Sequence, residues 1–285
     1  MTSAPNPDAQ MARVESELER ALAGSTKWNQ KRIPVLRGTF QRLLARVDIP
    51  TAASTGKPIL EIGSDGQLAS AKVLCGLSGL GVVASNLVVK GMAAKVGDYA
   101  ITVKQNDIGA LDFPDDSFSM VYGRAVLEHI SDMDDFLAEC DRVLEPGGVL
   151  YLDGGPLYYS PRGHHVAVKG PSGTHYGFAK MPDLLPNWCQ LESTEEEVFA
   201  HLVNSKGIDE ADARVIAKYV FNSPEQNRMS ASMVQACFAR SPFAHLDHEP
   251  TIMGKVTPPA HLVEEYGEFD LTCNGLAFFG RSTGR

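Results

Sequence analysis

Short apolar runs alternate with helical segments between residues 58 and 154. The runs cover 59–62, 82–83, 100–103, 118–122 and 149–152, and segments with helical character lie at 68–77, 88–94 and 133–144. Apolar strands without a polar face, separated by helices, are typical of βαβ units in which the sheet is covered on both sides. We therefore predict an α/β fold with a doubly wound, mostly parallel, Rossmann-like sheet.

The segments on either side of this core have other patterns. Apolar residues at helical spacing in 8–22, and six basic residues without an acid in 27–46, predict a helical N-terminal cover. The basic segment is interpreted either as a solvated face or as a lid over an anionic ligand. Glycine and proline interrupt the chain after residue 154, and three helical stretches follow, which predicts a helical insertion. Asn274-Gly275, between two strand-like runs, predicts a C-terminal β-hairpin.

These patterns divide the chain into four parts. The predicted parts are an N-terminal helical cover (1–50), a core (58–155), a helical lid or insertion over the substrate (156–260) and a C-terminal hairpin that completes the sheet (261–285).

Composition excludes several classes of partner. The chain has 26 Lys and Arg against 35 Asp and Glu, so its net charge of −9 disfavours a general nucleic-acid binder. No run approaches the roughly 20 apolar residues that span a bilayer. The 5 cysteines are widely spaced and form no C-x-x-C pair, as expected of reduced thiols. We expect a cytoplasmic protein with neither a nucleic-acid nor a membrane partner; an oligomer is possible.

The first predicted βα turn favours close contact between backbone and ligand. It reads Leu60-Glu61-Ile62-Gly63-Ser64-Asp65-Gly66, and a glycine at the end of a buried strand lets backbone N–H groups approach a bound group. The turn does not have the G-x-G-x-x-G spacing of dinucleotide sites, which disfavours a dehydrogenase.

Three further segments carry the strongest functional signal. They read Phe113-Pro114-Asp115-Asp116-Ser117-Phe118, then Leu127-Glu128-His129, then Arg142-Val143-Leu144-Glu145-Pro146-Gly147-Gly148. In this order they resemble the class I methyltransferases that use S-adenosylmethionine, in particular a large subgroup with these three segments. The resemblance covers residues 58–154 and implies the Rossmann-like methyltransferase fold, S-adenosylmethionine as cofactor and S-adenosylhomocysteine as product.

The resemblance also implies which residues bind the cofactor. Glu61 and Gly63 would lie beside its amino-acid part, Asp107 and the Ile108 backbone would receive adenine, and the end of the fourth strand would line the methionine moiety. The full predicted set is Glu61, Gly63, Ser64, Asp65, Asn86, Asp107, Ile108, Gly123, Arg124 and Ala125. Asn86 stands where the family usually has an acid that binds the ribose hydroxyls, and a neutral acceptor predicts weaker binding there.

The acceptor is expected to be a hydroxyl on a small polar molecule, such as a saccharide or a secondary metabolite. The chain does not have the Asn/Asp-Pro-Pro-aromatic segment of amine-methylating families, and a large insertion suits an enclosed small acceptor. Histidine suits a general base near neutral pH. The candidates are His164, His165 and His129. We expect no metal site, although His245-x-x-His248 contains two metal-ligating side chains.

Two alternatives stay open at this point. One is methylation of a carbon atom in a small metabolite. The other is a protein that binds S-adenosylmethionine without turnover and acts as a regulator or partner.

Overall fold

A seven-stranded sheet is the centre of the structure, a computed structural model that describes residues 7–23, 33–51, 53–87, 96–107 and 109–284. The strands in the described residues are β1 (Ile59–Ile62), β2 (Val82–Asn86), β3 (Ile101–Gln105), β4 (Phe118–Gly123), β5 (Leu144–Gly154), β6 (Ala167–Lys169), β7 (His175–Gly177), β8 (Phe243–Ile252) and β9 (Cys273–Ser282). The large sheet has the order β3-β2-β1-β4-β5-β9-β8. Strands β1 to β5 are parallel, and β9 runs antiparallel to both β5 and β8. The prediction of a mostly parallel sheet is confirmed.

Helices cover both faces of this sheet. The α-helices in the described residues are α1 (Pro7–Ala21), α2 (Ile33–Leu44), α3 (Ala69–Ser78), α4 (Met133–Val143), α5 (Cys189–Glu192), α6 (Glu195–Lys206), α7 (Glu210–Asn222), α8 (Ala231–Arg240), α9 (Ala260–Tyr266) and α10 (Glu268–Thr272). Because side chains alternate along a strand, Tyr122 of β4 packs with α1 to α3, whereas Val121 packs with α4 and α8. The doubly wound arrangement is confirmed, and so are the N-terminal helices in their described part.

The helical insertion has a hydrophobic core of its own. Leu202 of α6 and Ile216 of α7 are fully buried in it, together with residues of the β6–β7 hairpin and the following loop. Thr194 begins α6 with a reciprocal cap, in which its hydroxyl accepts from the Glu197 N–H and the Glu197 carboxylate accepts from the Thr194 N–H. Strand β8 begins at Phe243, inside the segment 156–260, so the four-part division of the chain stays a prediction.

The C-terminal antiparallel strands are present, but the predicted turn at Asn274-Gly275 is wrong. Residues 268–272 form helix α10, and both Asn274 and Gly275 lie inside β9. Gly275 is explained by a close approach instead, because a Cβ atom there would lie 2.4 Å from the carbonyl oxygen of Gly154. The glycine lets β9 pass close to the end of β5.

The helix predicted at 88–94 lies outside the described residues. Within the described ranges, no helix combines the length and the apolar character needed to cross a bilayer.

Candidate active site

The strand order reverses direction between β1 and β4, and open α/β sheets bind ligands at such a position, beyond the carboxyl ends of the strands. We call this position the crevice. The chain leaves β1 at Gly63, whose φ of +71° favours glycine. A Cβ atom at Gly63 would lie 2.5 Å from Val126 Cγ1, and one at Gly123 would lie 2.8 Å from Leu152 Cδ2. Both positions therefore require glycine, because the side chains of Val126 and Leu152 already pack against the backbone there.

The carboxyl group of Glu61 is buried behind the first turn. The Ser64 hydroxyl donates to Glu61 Oε2 at 2.6 Å, and burial raises the pKa of Glu61 to about 7. The turn is tied to the end of β2, because the Ser64 N–H donates to the Ser85 carbonyl and the Asn86 amide donates to the Ser64 carbonyl at 2.7 Å. Three predicted residues, Glu61, Ser64 and Asn86, are thus brought together.

Asp65 and Asp107 each accept a hydrogen bond within their own turn. Asp65 accepts from the Gln67 N–H at 2.8 Å, and the exposed Asp107 accepts from the Gly109 N–H at 2.9 Å. Ile108 lies outside the described residues.

A pocket of about 250 Å³ opens beside the end of β4. Its lining includes Arg124, Ala125, Asp153, the backbone of Gly154 and Gly155, and Arg42 of α2. Ala125 has a φ of +55°, and its N–H donates to Asp153 Oδ1 at 2.9 Å. Asp153 also accepts from the Tyr151 hydroxyl at 2.6 Å and lies 3.6 Å from an Arg42 guanidinium nitrogen.

Sequence reasoning missed Arg42 and Asp153 as individual site residues. The signal for Arg42 was the basic segment interpreted as a possible lid over an anion. No sequence pattern pointed to Asp153, because it lies near the end of a strand whose apolar residues predict burial.

A larger cavity of about 460 Å³ lies at the opposite edge of the sheet, lined by Ser119 and 147–149 near the beginnings of β4 and β5. Ligands of open α/β sheets bind at the carboxyl ends of the strands, so we place the site at the smaller pocket.

A second group of side chains lies where β5 ends. Glu128 is buried, and its Oε2 accepts from the Gly155 N–H at 3.0 Å. Its other oxygen lies 3.8 Å from His129 Nε2, and the ring of His129 lies 5.2 Å from that of His165. We call Glu128, His129 and His165 the polar cluster. Gly155 belongs both to the cluster's contacts and to the pocket lining, so the two are adjacent.

The polar cluster is held by a loop from the insertion. His129 Nδ1 lies 2.6 Å from the Glu225 carbonyl, the Asn227 N–H donates to the Glu128 carbonyl at 3.0 Å, and the Asn227 side chain donates to the Leu127 carbonyl at 2.6 Å. Asn227 therefore anchors this loop to the turn that carries Glu128 and His129.

The three candidate histidines differ in position. His129 is partly exposed, whereas His165 is 8% exposed, and its buried Nδ1 has no hydrogen-bond partner among the described residues. His164 is 2% exposed and lies outside the polar cluster, where its Nδ1 accepts from the Val166 N–H at 3.3 Å. Burial lowers the pKa of both His164 and His165 to about 4, so both are neutral at pH 7.

Comparison with known proteins indicates a methyltransferase domain in this chain. A family profile described as a methyltransferase domain matches residues 60–152. The ubiquinone biosynthesis O-methyltransferase of Paramagnetospirillum magneticum is 25% identical over 199 residues, which cover 69% of this chain and 76% of the relative. The enzyme of the same name from Chelativorans is 26% identical over 171 residues, or 56% of this chain and 67% of the relative. The chain spans only 52% of a third such relative, from Mesorhizobium japonicum.

A solved structure gives a similar fold. The chain superposes with a TM-score of 0.50 on a protein from Listeria monocytogenes described as an S-adenosylmethionine-dependent methyltransferase, at 11% identity and covering 87% of this chain and 99% of that one. The matched domain and the named relatives support a methyltransferase, and the solved structure shares its Rossmann-like fold. The methyl donor of this chain is S-adenosylmethionine.

Proposed function

We propose that the protein transfers the methyl group of S-adenosylmethionine to a hydroxyl oxygen of a small polar acceptor. The observation that carries the proposal is the adjacency of two structures at the strand tips. One is the crevice with its two glycines, and the other is the polar cluster next to the pocket at Gly154 and Gly155.

The crevice fits the cofactor. S-adenosylmethionine supplies a methyl group on a positively charged sulfur atom. Gly63 leaves β1 with a φ of +71°, a conformation that lets the following turn present backbone N–H groups to a ligand. The buried Glu61 carboxyl lies at the same turn and is suited to binding an ammonium group, which would favour its ionised form. We assign the methionine end to Glu61, Arg124 and Ala125, and the nucleoside end to Asn86 and Asp107.

Removal of the acceptor's proton is assigned to the polar cluster. When Nδ1 of His129 donates to the Glu225 carbonyl, Nε2 keeps a lone pair on the side of Glu128. A positioned imidazole that takes a proton from the acceptor typically contributes about 10²–10⁴-fold to the rate. His165 is the second candidate, since its Nδ1 has no partner. His164 Nδ1 already accepts a hydrogen bond from the Val166 N–H, so His164 is the weakest of the three candidate bases.

Oxygen is favoured over carbon as the acceptor atom. The relatives' shared name, ubiquinone biosynthesis O-methyltransferase, describes transfer to oxygen. A saccharide or another polyhydroxylated metabolite is the leading acceptor, and a hydroxylated quinone precursor is the second candidate because of that name. The small volume of the pocket supports a small-molecule acceptor.

The finer family subgroup is also part of the proposal. Arg142, from the Arg-Val-Leu segment, donates to the carbonyl of Phe113 at 2.7 Å and to Asp115 at 2.9 Å, both in the Phe-Pro-Asp segment. Two of the three segments that define the subgroup are thus in direct contact. The free cysteines support the proposal of a cytoplasmic location.

Methyl transfer from labelled S-adenosylmethionine tests the proposal. The acceptor panel contains saccharides, hydroxylated quinone precursors and carbon acids, and the labelled position is read by mass spectrometry. Label on oxygen of one acceptor class is expected. Label on carbon, or binding of S-adenosylhomocysteine without transfer to any member, contradicts it.

A further inference from the structure

The polar cluster combines three side chains that are common ligands of divalent metals. Within the described residues, one ligand atom from each of Glu128, His129 and His165 lies within 4.8 Å of the other two. Neighbouring ligands of a bound cation are about 3–3.5 Å apart, given bonds of about 2 Å. A cation would therefore draw these atoms together by about 1 Å, which side-chain rotation can supply.

Both imidazoles are oriented as in metal sites. Metal-binding histidines almost always donate the other ring N–H to a carbonyl, carboxylate or water, which fixes the tautomer that can bind. His129 Nδ1 lies 2.6 Å from the Glu225 carbonyl, which leaves Nε2 facing Glu128 at 3.8 Å. Among the described residues, no group forms a hydrogen bond with the buried Nδ1 of His165, so this nitrogen is available to a cation.

The unpartnered nitrogen is a separate observation that points to a ligand. His165 is 92% buried, since its exposed fraction is 8%, and a buried polar atom without a partner costs free energy. A cation at the cluster would supply the missing partner. It would also compensate the carboxyl group of Glu128, which is buried and accepts from the Gly155 N–H at 3.0 Å.

We propose that Glu128, His129 and His165 form a site for a divalent transition-metal cation of the zinc, iron or manganese type. Two imidazole nitrogens and one carboxylate oxygen suit these metals and leave coordination positions open. The proposed site replaces our expectation that the chain has no metal site. Its third ligand, His165, lies in the loop after β5, 36 positions from His129 in sequence.

The site deepens the proposed function and rests on it for its chemical role. An acceptor hydroxyl that occupies an open position would bind the cation through oxygen, and the cation lowers the pKa of such a group. The O–H proton leaves to solvent, the oxygen forms its bond to the methyl carbon, and the carbon–sulfur bond breaks with its electrons remaining on sulfur. In this arrangement the imidazoles hold the cation and no longer serve as proton acceptors.

Cobalt(II) is the probe for the test, because its visible absorption reports nitrogen and oxygen ligands. The chelator-treated full-length protein is titrated with Co²⁺, and a second titration with S-adenosylhomocysteine is run on the same sample. We expect one Co²⁺ per chain and at least a tenfold loss of Co²⁺ affinity in His129→Ala, His165→Ala and Glu128→Gln, since even neighbours of a metal ligand typically contribute about 10–100-fold.

His261→Ala is the matched control. His261 Nε2 lies 2.9 Å from Glu192 on the surface, so this variant removes a histidine next to a carboxylate outside the cluster. It is expected to keep the wild-type affinity for Co²⁺. The partly exposed His129 is the substitution least expected to disturb folding, and circular dichroism with S-adenosylhomocysteine binding reports the fold of all variants.

The outcomes separate the two proposals. No Co²⁺ uptake by the wild type, or equal uptake by wild type and all three cluster variants, overturns the metal site. S-adenosylhomocysteine binding and methyl transfer in the metal-free protein would then leave the proposed function intact. Co²⁺ uptake without any methyl transfer would support the site and contradict the function.

Discussion

The two halves of the crevice are built in different ways. The cofactor half, around Glu61 to Ser64 and Gly123 to Ala125, uses turns that follow directly from strands, with glycines where side chains would collide. The acceptor half uses the polar cluster and the loop that holds it, whose side chains come from three separate parts of the chain. The first half therefore depends on backbone shape, and the second on side-chain placement.

Loss of the polar cluster is expected to have the largest effect. The double variant His129→Ala/His165→Ala should lower kcat about 10²–10⁴-fold, because it removes the imidazoles that either accept the acceptor's proton or hold the cation that acidifies the hydroxyl. S-adenosylhomocysteine affinity should stay close to that of the wild type, as measured by calorimetry. A loss of cofactor affinity comparable to the loss of kcat would show that the two halves are not separate.

The effect of Glu61 on cofactor affinity comes next. Glu61→Gln should weaken S-adenosylhomocysteine binding about 10–100-fold at pH 7.5, since hydrogen bonds to charged groups contribute about 1.5–3 kcal/mol.

The pH dependence sharpens this test. The pKa of Glu61 in the free protein is about 7, so below that pH its proton must leave before a carboxylate can bind the ammonium group. Wild-type affinity should therefore fall as pH falls from 7 toward 5.5, by at most about tenfold per pH unit. The Glu61→Gln profile should lack this slope, and an identical slope in both proteins would contradict the assignment.

The same group makes a prediction about folding. Burial raises the folded-state pKa of Glu61 above its ordinary value of 4.5, so the free protein binds more protons than the unfolded chain between pH 4.5 and 7. Glu61 therefore lowers the free energy of unfolding progressively as pH rises through that window. The free energy of unfolding of Glu61→Gln minus that of the wild type should therefore be larger at pH 8 than at pH 4.5. Urea denaturation of both proteins at the two pH values measures this difference.

A smaller effect is expected from Asn86. Its amide holds the first turn through the Ser64 carbonyl, and loss of one such hydrogen bond costs about 1 kcal/mol, or about fivefold in affinity. Asn86→Ala should weaken S-adenosylhomocysteine binding by this amount without changing the pH slope. An unchanged affinity would remove Asn86 from the cofactor half.

The smallest effect on catalysis is expected at His164. This side chain is packed inside the loop after β5, and asparagine can still accept from the Val166 N–H. His164→Asn should keep kcat within about twofold, whereas His164→Ala should lower the free energy of unfolding by about 1–3 kcal/mol. A large fall in kcat for His164→Asn would restore His164 as a catalytic candidate.

The contrast between the halves also explains what could be predicted from sequence. Strand and helix alternation predicted the sheet, and the family resemblance predicted Glu61, Ser64 and Asn86, which lie at or next to the carboxyl ends of β1 and β2. The placement of His165 beside His129 was not predictable, because it depends on how the loop after β5 folds against the turn after β4.

The errors have physical causes as well. Asn274-Gly275 has the composition of a turn, but the glycine serves a close contact with Gly154 inside β9. Arg42 and Asp153 meet across the pocket from a helix and a strand 111 positions apart in sequence, and local patterns contain no information about such a pair.

The most direct test of the account is a crystal structure with S-adenosylhomocysteine bound. We predict that the ligand contacts Glu61 to Ser64 and Gly123 to Ala125, with its sulfur atom on the side of Gly154, Gly155 and the polar cluster. A ligand in the cavity at the opposite edge of the sheet, or with its sulfur directed away from Glu128, His129 and His165, would contradict the account.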